Sequence, residues 1–260
     1  MKSKNVEPEH PELSAIRDLV RQMRLAEANK ALEHLEEKEA GLSEADRLKL
    51  RIERSICSGR SGDNARALKA AREAAEMAQA LGNEKSLMIA LRFEGNCLLA
   101  MDEHAAAIEA YRAVLKRARA AGHKREIAAA YNNLGAVYRQ IDDYAQAIAS
   151  YSLARRLHEE SGHTEEIHIA RMNLATCLFM NGELDEAESL YRELLESGAK
   201  YEDIDHTALP LWGLAGVAAK RGDLVTARQH FETVIGQLQD SGQSLILVEA
   251  RLDWAEALAE

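Results

Sequence analysis

Asn133 and Asn173 stand 40 residues apart. A carboxamide offers two N–H donors and one carbonyl acceptor, so a row of such groups can pair with the N–H and C=O of a peptide main chain without reading its sequence. The other residue types able to do chemistry form no constellation. Nine histidines are scattered, and His158, His163 and His168 are spaced five apart, whereas a helical metal pair needs i, i+4 on one face, as in HExxH. Gly59-Arg60-Ser61-Gly62 lacks the trailing Gly-Lys-Ser/Thr of a phosphate-binding loop, and there is no GxSxG nucleophile elbow. Carboxylates are numerous but fall mostly at positions expected on solvated helix faces. The sequence predicts no catalytic residue, no metal site and no cofactor.

Composition narrows the classes further. The chain has 260 residues and a formal net charge of −10, with 29% charged, 47% hydrophobic and 5% aromatic residues and three prolines. The acidic balance argues against a general nucleic-acid or membrane-surface binder, which needs a basic face. One local exception, Arg112, Lys116, Arg117, Arg119, Lys124 and Arg125, reads as a solvated helix face followed by a loop, with a docking patch for an acidic partner as the alternative. No apolar run approaches the ~20 residues of a membrane span. The polar segment from Met1 to Glu12 lacks the apolar stretch of a signal peptide. With no CxxC among three cysteines, a reducing, cytoplasmic setting is expected.

The elements that must position these residues are set by one period. Tyr111, Tyr151, Tyr191 and Phe231 are 40 apart, as are Ala67, Ala107, Ala147, Ala187 and Ala227. Gly82, Gly122, Gly162 and, after one skipped step, Gly242 keep the same spacing. Cys57, Cys97 and Cys177 share one phase with Val137, Val217 and Ala257, which marks small buried apolar sites and not ligands or redox thiols. A period in the 20–50-residue range signifies stacked structural units.

The clearest unit runs from Ile127 to Gly162. Tyr131, Leu134, Gly135 and Tyr138 fall on one helical face, Asp142-Asp143 breaks the pattern, and Tyr144, Ala147, Ile148, Tyr151 and Ala154 form a second face. Gly162 then suits a left-handed helix end. This predicts a helix–turn–helix hairpin in which Gly135 faces Ala147 and lets the two backbones approach closely. Repeats are expected over about 13–40, 48–82, 88–122, 128–162, 168–202 and 208–242, with turns at Gly62-Asp63, Asp102-Glu103, Gly182-Glu183 and Gly222-Asp223. Gly198 ends the second helix of the fifth unit early, and Tyr201–His206 reads as the longest irregular connection. Residues 1–12 read as a disordered tail and 246–260 as a final helix holding Trp254 and Leu258. That helix either closes the array or begins a seventh hairpin cut from a longer protein; truncation is the favoured reading.

These residues resemble the tetratricopeptide repeat. Tyr131, Leu134-Gly135, Tyr138, Ala147, Tyr151 and Ala154 match its pattern of a large residue, Leu-Gly, Tyr, Ala, aromatic and Ala. Two features depart from it. The period is 40 instead of 34, and Arg119, Glu159 and Gln239 replace the closing proline, so longer second helices are expected. This looks like the 40-residue subgroup of Pins/LGN-type scaffolds and bacterial MalT/Rap-type regulators. The resemblance implies an all-α, right-handed solenoid of about six hairpins plus a final helix, with the first helices lining a concave groove. Carried over residue by residue, the groove set is Arg92, Asn96, Asn132, Asn133, Arg139, Met172, Asn173, Thr176, Phe179 and Trp212. In that setting the asparagines would hold main chain, Arg92 and Arg139 would bond acidic side chains, and Trp212, Phe179 and Met172 would anchor apolar ones. Gly213 and Gly216 would leave open space around Trp212. Burial of Phe179, Met172 and Trp212 as core is the competing reading.

The expected function is a non-catalytic scaffold with a protein or peptide partner, and with neither nucleic acid nor membrane. On this view Asn133→Ala combined with Asn173→Ala abolishes binding without unfolding. The alternative is an N-terminal sensory or dimerisation module that regulates a C-terminal signalling or DNA-binding output domain, self-associating through one solenoid end or the convex face, with Trp254 and Leu258 as the expected apolar contacts.

Overall fold

A computed structural model describes residues 10–162, 164–198 and 206–241. Among these the fold is all-α, of the tandem-hairpin solenoid class that the period implies. The helices are α1 (Pro11–Arg21), α2 (Leu25–Glu37), α3 (Glu44–Arg60), α4 (Asn64–Ala80), α5 (Glu84–Ala100) and α6 (His104–Ala121). They continue with α7 (Lys124–Gln140), α8 (Tyr144–Ser161), α9 (Thr164–Met180), α10 (Leu184–Gly198), α11 (Ala208–Lys220) and α12 (Leu224–Ser241). The chain divides into two compact units, Met1–Asn133 and Leu134–Glu260, the division falling within α7. The final helix proposed for 246–260, Gly242 and most of the Tyr201–His206 connection lie outside the described residues.

Helix starts follow capping chemistry. The first helices α3 and α5 open at Glu44 and Glu84, four residues before the repeats expected from about 48 and 88. Ser43 Oγ accepts the Asp46 N–H and Asn83 Oδ1 accepts the Ser86 N–H, each at 3.1 Å. A capped first turn made of polar residues is invisible to apolar periodicity, because the cap satisfies donors and not the core. Each hairpin turn uses one left-handed residue followed by an N-cap. Gly62, Asp102, Asp142, Gly182 and Gly222 share a phase and all have positive φ. Asp63, Asp143 and Asp223 cap α4, α8 and α12 through N–H bonds from Arg66, Gln146 and Thr226 at 3.1 Å. The Asp142-Asp143 break is therefore a division of labour, with one residue turning the chain and the next starting the helix.

The periodic residues form the buried frame. Ala67, Ala107, Ala147, Ala187 and Ala227 are fully buried, and Tyr111, Tyr151, Tyr191 and Phe231 nearly so. The nearest neighbour of Gly135 is the ring of Tyr151. A Cβ there would lie 2.9 Å from the ring of Tyr151, and one at Gly95 would lie 2.6 Å from Tyr111. The glycine makes room for its own hairpin's aromatic ring, because the ring projects much farther from α8 than the Ala147 methyl does. Contact with the periodic alanine comes from another phase: a Cβ on Gly59 would sit 3.7 Å from Ala67 Cβ. Cys57, Cys97 and Cys177 are free thiols buried in this frame, and burial pushes Cys177 up to about 11.

The second helices are long, as the missing proline implies: α6, α8 and α12 each have 18 residues. The positions that replace the proline reach the next first helix. Arg119 stacks on Tyr131, its guanidinium 5.6 Å from the ring centroid, and bonds the phenol oxygen. Forty residues on, Glu159 accepts from Arg171 at 2.8 Å. The shorter α10 ends at Gly198, where the sequence stops it. In the first unit, Arg54 is buried at 3% exposure and bonds Glu36 bidentately at 2.7 Å and Asn29 at 2.9 Å, tying α3 to α2. No described helix is long and apolar enough to cross a membrane.

Candidate functional site

Within the second unit, three elements carry side chains into one cavity of about 660 Å³. The end of α7 supplies Arg139, and α9 supplies Met172, Thr176, Phe179 and Met180. From α11 come Leu209, Trp212, Gly213, Gly216, Ala219 and Lys220. The spacings within α9 and α11 are i, i+4, i+7 and i, i+3, i+4, i+7, so one stripe of each helix faces the space. Tyr191 of α10 and Phe231 of α12 close its floor.

Glycines shape this floor. A Cβ on Gly213 would enter the ring of Tyr191, and one on Gly216 would stand 3.1 Å from Phe179 Cζ. The space expected beside Trp212 is thus filled at these two positions by aromatic rings. Trp212 is half-buried against the surrounding core and keeps a face on the cavity. The competing readings of Trp212, Phe179 and Met172 as core or as cavity wall both hold, since each side chain does both. Tyr191 Oη donates to Thr176 Oγ1 at 3.4 Å, and Thr176 Oγ1 donates to the Met172 carbonyl at 3.0 Å. Lys220 Nζ lies 4.2 Å from the Phe179 ring centroid, a cation–π contact at the rim. Burial pushes the phenols of Tyr191 and Tyr151 up to about 12, with Arg139 opposing part of the shift at Tyr151. Both stay protonated at neutral pH and act as packing groups with a donor.

Five of the ten groove residues inferred from sequence meet here: Arg139, Met172, Thr176, Phe179 and Trp212. Arg92 and Asn96 line a different cavity, in the first unit. Asn96 Oδ1 already accepts the Tyr111 hydroxyl at 2.7 Å, the counterpart one repeat pair earlier of the Thr176–Tyr191 contact. Asn132 and Asn133 belong to the first unit and Asn173 to the second, each half-buried, and none lines either cavity. Asn132 and Asn173 have interaction partners within the chain. The lining residues that sequence reasoning missed are Met180, Leu209, Ala219, Lys220 and the floor rings. The phase gives a partial signal, because 172 and 212 are equivalent positions, as are 176 and 216. The basic run between Arg112 and Arg125 is divided among different surroundings, and Arg125 lines the first-unit cavity. Arg112 pairs with Glu109 at 2.9 Å, Arg117 faces Glu84 at 3.7 Å, and Arg119 stacks on Tyr131. Among the described residues, no group of three or more His, Cys, Asp or Glu is placed to hold a metal ion.

Comparison with known proteins identifies the fold. No curated protein matches the chain by sequence. Among solved structures, the chain is similar to a signal-transduction ATPase with numerous domains (STAND) and a tetratricopeptide repeat sensor from Pyrococcus horikoshii, with a TM-score of 0.73 and 18% identity. That match covers 92% of this chain but 38% of the other, so the chain spans well under half of that protein's length. RapI in its apo form matches with a TM-score of 0.72 and 15% identity over 95% of this chain and 96% of RapI. NprR in complex with its cognate peptide NprX matches with a TM-score of 0.66 and 17% identity over 94% of this chain and 72% of NprR. At these identities the likeness establishes the fold. The tetratricopeptide repeat profile matches residues 86–160 and 166–240, more than half of the sequence, and the chain belongs to the tetratricopeptide repeat family.

Proposed function

We propose that this chain is a non-catalytic scaffold that holds a peptide or a segment of a partner protein in the cavity of the second unit. The observation that carries the reading is the convergence of Trp212, Phe179 and Met172 on one space rimmed by Arg139 and Lys220. Aromatic and methionine side chains at a concave, partly desolvated surface are the residue types that dominate interface energetics. A wall built on helices is preformed, so binding orders little of the receptor. The NprR structure, solved with a cognate peptide, supports the same use of this fold. Asn173, beside Met172 in α9, and Asn133 are proposed as flanking main-chain contacts. A cytoplasmic setting agrees with three free buried thiols.

The test is selection of peptides from a display library on the chain, followed by titration of the selected peptides against Gly216→Leu and Trp212→Ala. The leucine side chain presses on the Phe179 ring and narrows the cavity, and the alanine removes its largest anchor. Each is expected to weaken binding by about tenfold or more, with helical circular dichroism unchanged. Selected peptides that bind both variants as they bind the parent chain would overturn the assignment.

A second reading, a sensory or dimerisation module controlling an output domain, is favoured by the STAND neighbour, whose repeat region is described as a sensor within a much longer protein. Light scattering over a concentration series separates the two: a stable dimer favours the module and a monomer the scaffold. Trp254 and Leu258, the contacts expected in such a dimer, lie outside the described residues.

A further inference from the structure

The first unit holds a larger cavity, about 1190 Å³, walled by α1, α3, α5 and the start of α7. We propose that this basin is a docking site for an acidic peptide segment whose carboxylates alternate with apolar side chains. Seven lining residues are lysine or arginine and one, Glu53, is acidic. Glu53 is 4% exposed and engaged by Arg17 at 2.6 Å, so it does not neutralise the others. This concentration of positive charge occurs in a chain of net charge −10, and a cleft lined by one sign of charge focuses potential on its ligand.

Two of these cations also stand beside carboxylates. Arg21 faces Asp18 at 3.7 Å with both side chains mostly exposed, and Lys49 faces Asp46 at 3.4 Å. The exposed Arg21–Asp18 pair is weak and screened by salt, whereas the part-buried Lys49–Asp46 pair holds Lys49 more firmly. Arg92 is the more specific observation. Its guanidinium lies over the Phe93 ring, 4.7 Å from the centroid, while its Nε is buried without a hydrogen-bond partner. Arg92 is half-buried and lines the basin, and a guanidinium at a cavity wall can form charge-assisted bonds with a ligand carboxylate. Lys85 is exposed at the same wall.

The apolar part of the lining selects the class of ligand. Val20, Ile52, Ile56 and Phe93 line the basin among the cations, and a uniform polyanion leaves such surface unused. A single aromatic ring already covered by Arg92 is no stacking platform for successive bases, which single-stranded nucleic acid requires. The volume also exceeds the roughly 300–1,000 Å³ of small-molecule pockets, which suits a chain segment.

The experiment uses the full chain and a fluorescein-labelled, C-terminally amidated peptide of about ten residues with glutamate alternating with leucine, so that no terminal carboxylate contributes. Its controls are the same peptide with glutamine for glutamate and a labelled oligothymidine of similar length. Anisotropy is read at about 50 mM and about 300 mM NaCl. The glutamate peptide is expected to bind about tenfold or more tighter than the glutamine peptide and to weaken with salt. Lys85→Glu and Arg92→Gln are each expected to lower its affinity by about fivefold or more. Lys85 is exposed and tests the site without threatening the fold. Equal binding of the two peptides, no binding of the glutamate peptide, or indifference to Lys85→Glu would overturn the inference. Tighter binding of oligothymidine would overturn it in favour of nucleic acid. The inference does not rest on the second-unit cavity, so Trp212→Ala should leave this affinity unchanged. A loss there would move the acidic peptide to the second unit, sinking this inference while the scaffold reading stands.

Discussion

The two cavities are built on the same frame and differ in what is hung on it. In the first unit, Tyr111 packs into Gly95 and bonds Asn96. In the second, Tyr191 packs into Gly213 and bonds Thr176. The buried aromatic and its hydroxyl partner recur, while the cavity-facing phase changes freely. Positions 92, 132, 172 and 212 carry Arg, Asn, Met and Trp, and positions 93, 133, 173 and 213 carry Phe, Asn, Asn and Gly. One unit presents charge and the other presents rings. A repeat keeps stability and recognition on separate phases of its period, so recognition can vary without rebuilding the core.

The comparison breaks most directly at the frame. Tyr111→Ala and Tyr191→Ala should each cost about 3–5 kcal/mol, the range for deleting a large buried aromatic ring. Urea unfolding followed by circular dichroism measures both. A large loss at one position only would show that the two aromatics are not equivalent supports.

Alkaline titration sharpens it. A tyrosine whose folded pKa is raised contributes stability that is fully present below its unfolded value near 10 and is lost as pH rises through the folded value. Tyr151 and Tyr191 sit at about 12, and burial drives Tyr111 higher still. Ionising Tyr151 or Tyr191 therefore destabilises the fold between about pH 10 and pH 12 by on the order of 2–3 kcal/mol each. Absorbance of the phenolate and far-ultraviolet circular dichroism should change together there, with the second unit's tyrosines ionising first. Ionisation of all seven tyrosines near pH 10 with helicity intact would contradict the burial of these rings.

The smallest effect concerns the asparagines. With Asn133 and Asn173 outside both cavities, the double alanine variant is now expected to weaken a selected peptide by roughly 2–10-fold, the worth of one or two ordinary hydrogen bonds. Trp212→Ala should do more. Complete loss in the asparagine double variant, read by anisotropy, would restore the carboxamide row as the main clamp.

Much of this architecture is legible in the sequence. Ala147, Tyr151 and Cys177 read as buried from their phase alone, and they are buried. The turns at Asp142-Asp143 and Gly182-Glu183 read correctly because left-handed backbone and N-capping are local chemistry. The early starts of α3 and α5 were hidden because Ser43 and Asn83 act on backbone N–H groups and leave no mark on the apolar pattern.

What the sequence determined by itself is therefore everything fixed by spacing along one helix: the period, the buried face, the turns, the long second helices and the family. The tertiary structure decided which neighbour fills each gap. Tyr151 fills Gly135 of its own hairpin, whereas Tyr191 fills Gly213 of the next one, although the two tyrosines occupy identical positions in the repeat. A ring on a second helix lies within reach of two first helices: Tyr191 bonds Thr176 of its own hairpin and packs on Gly213 of the next. Position 175, the counterpart of Gly135, is alanine, so the open place for Tyr191 lies across the hairpin boundary. That choice is made through space, and with it the floor of the cavity and the convergence of Trp212, Phe179 and Met172 upon it.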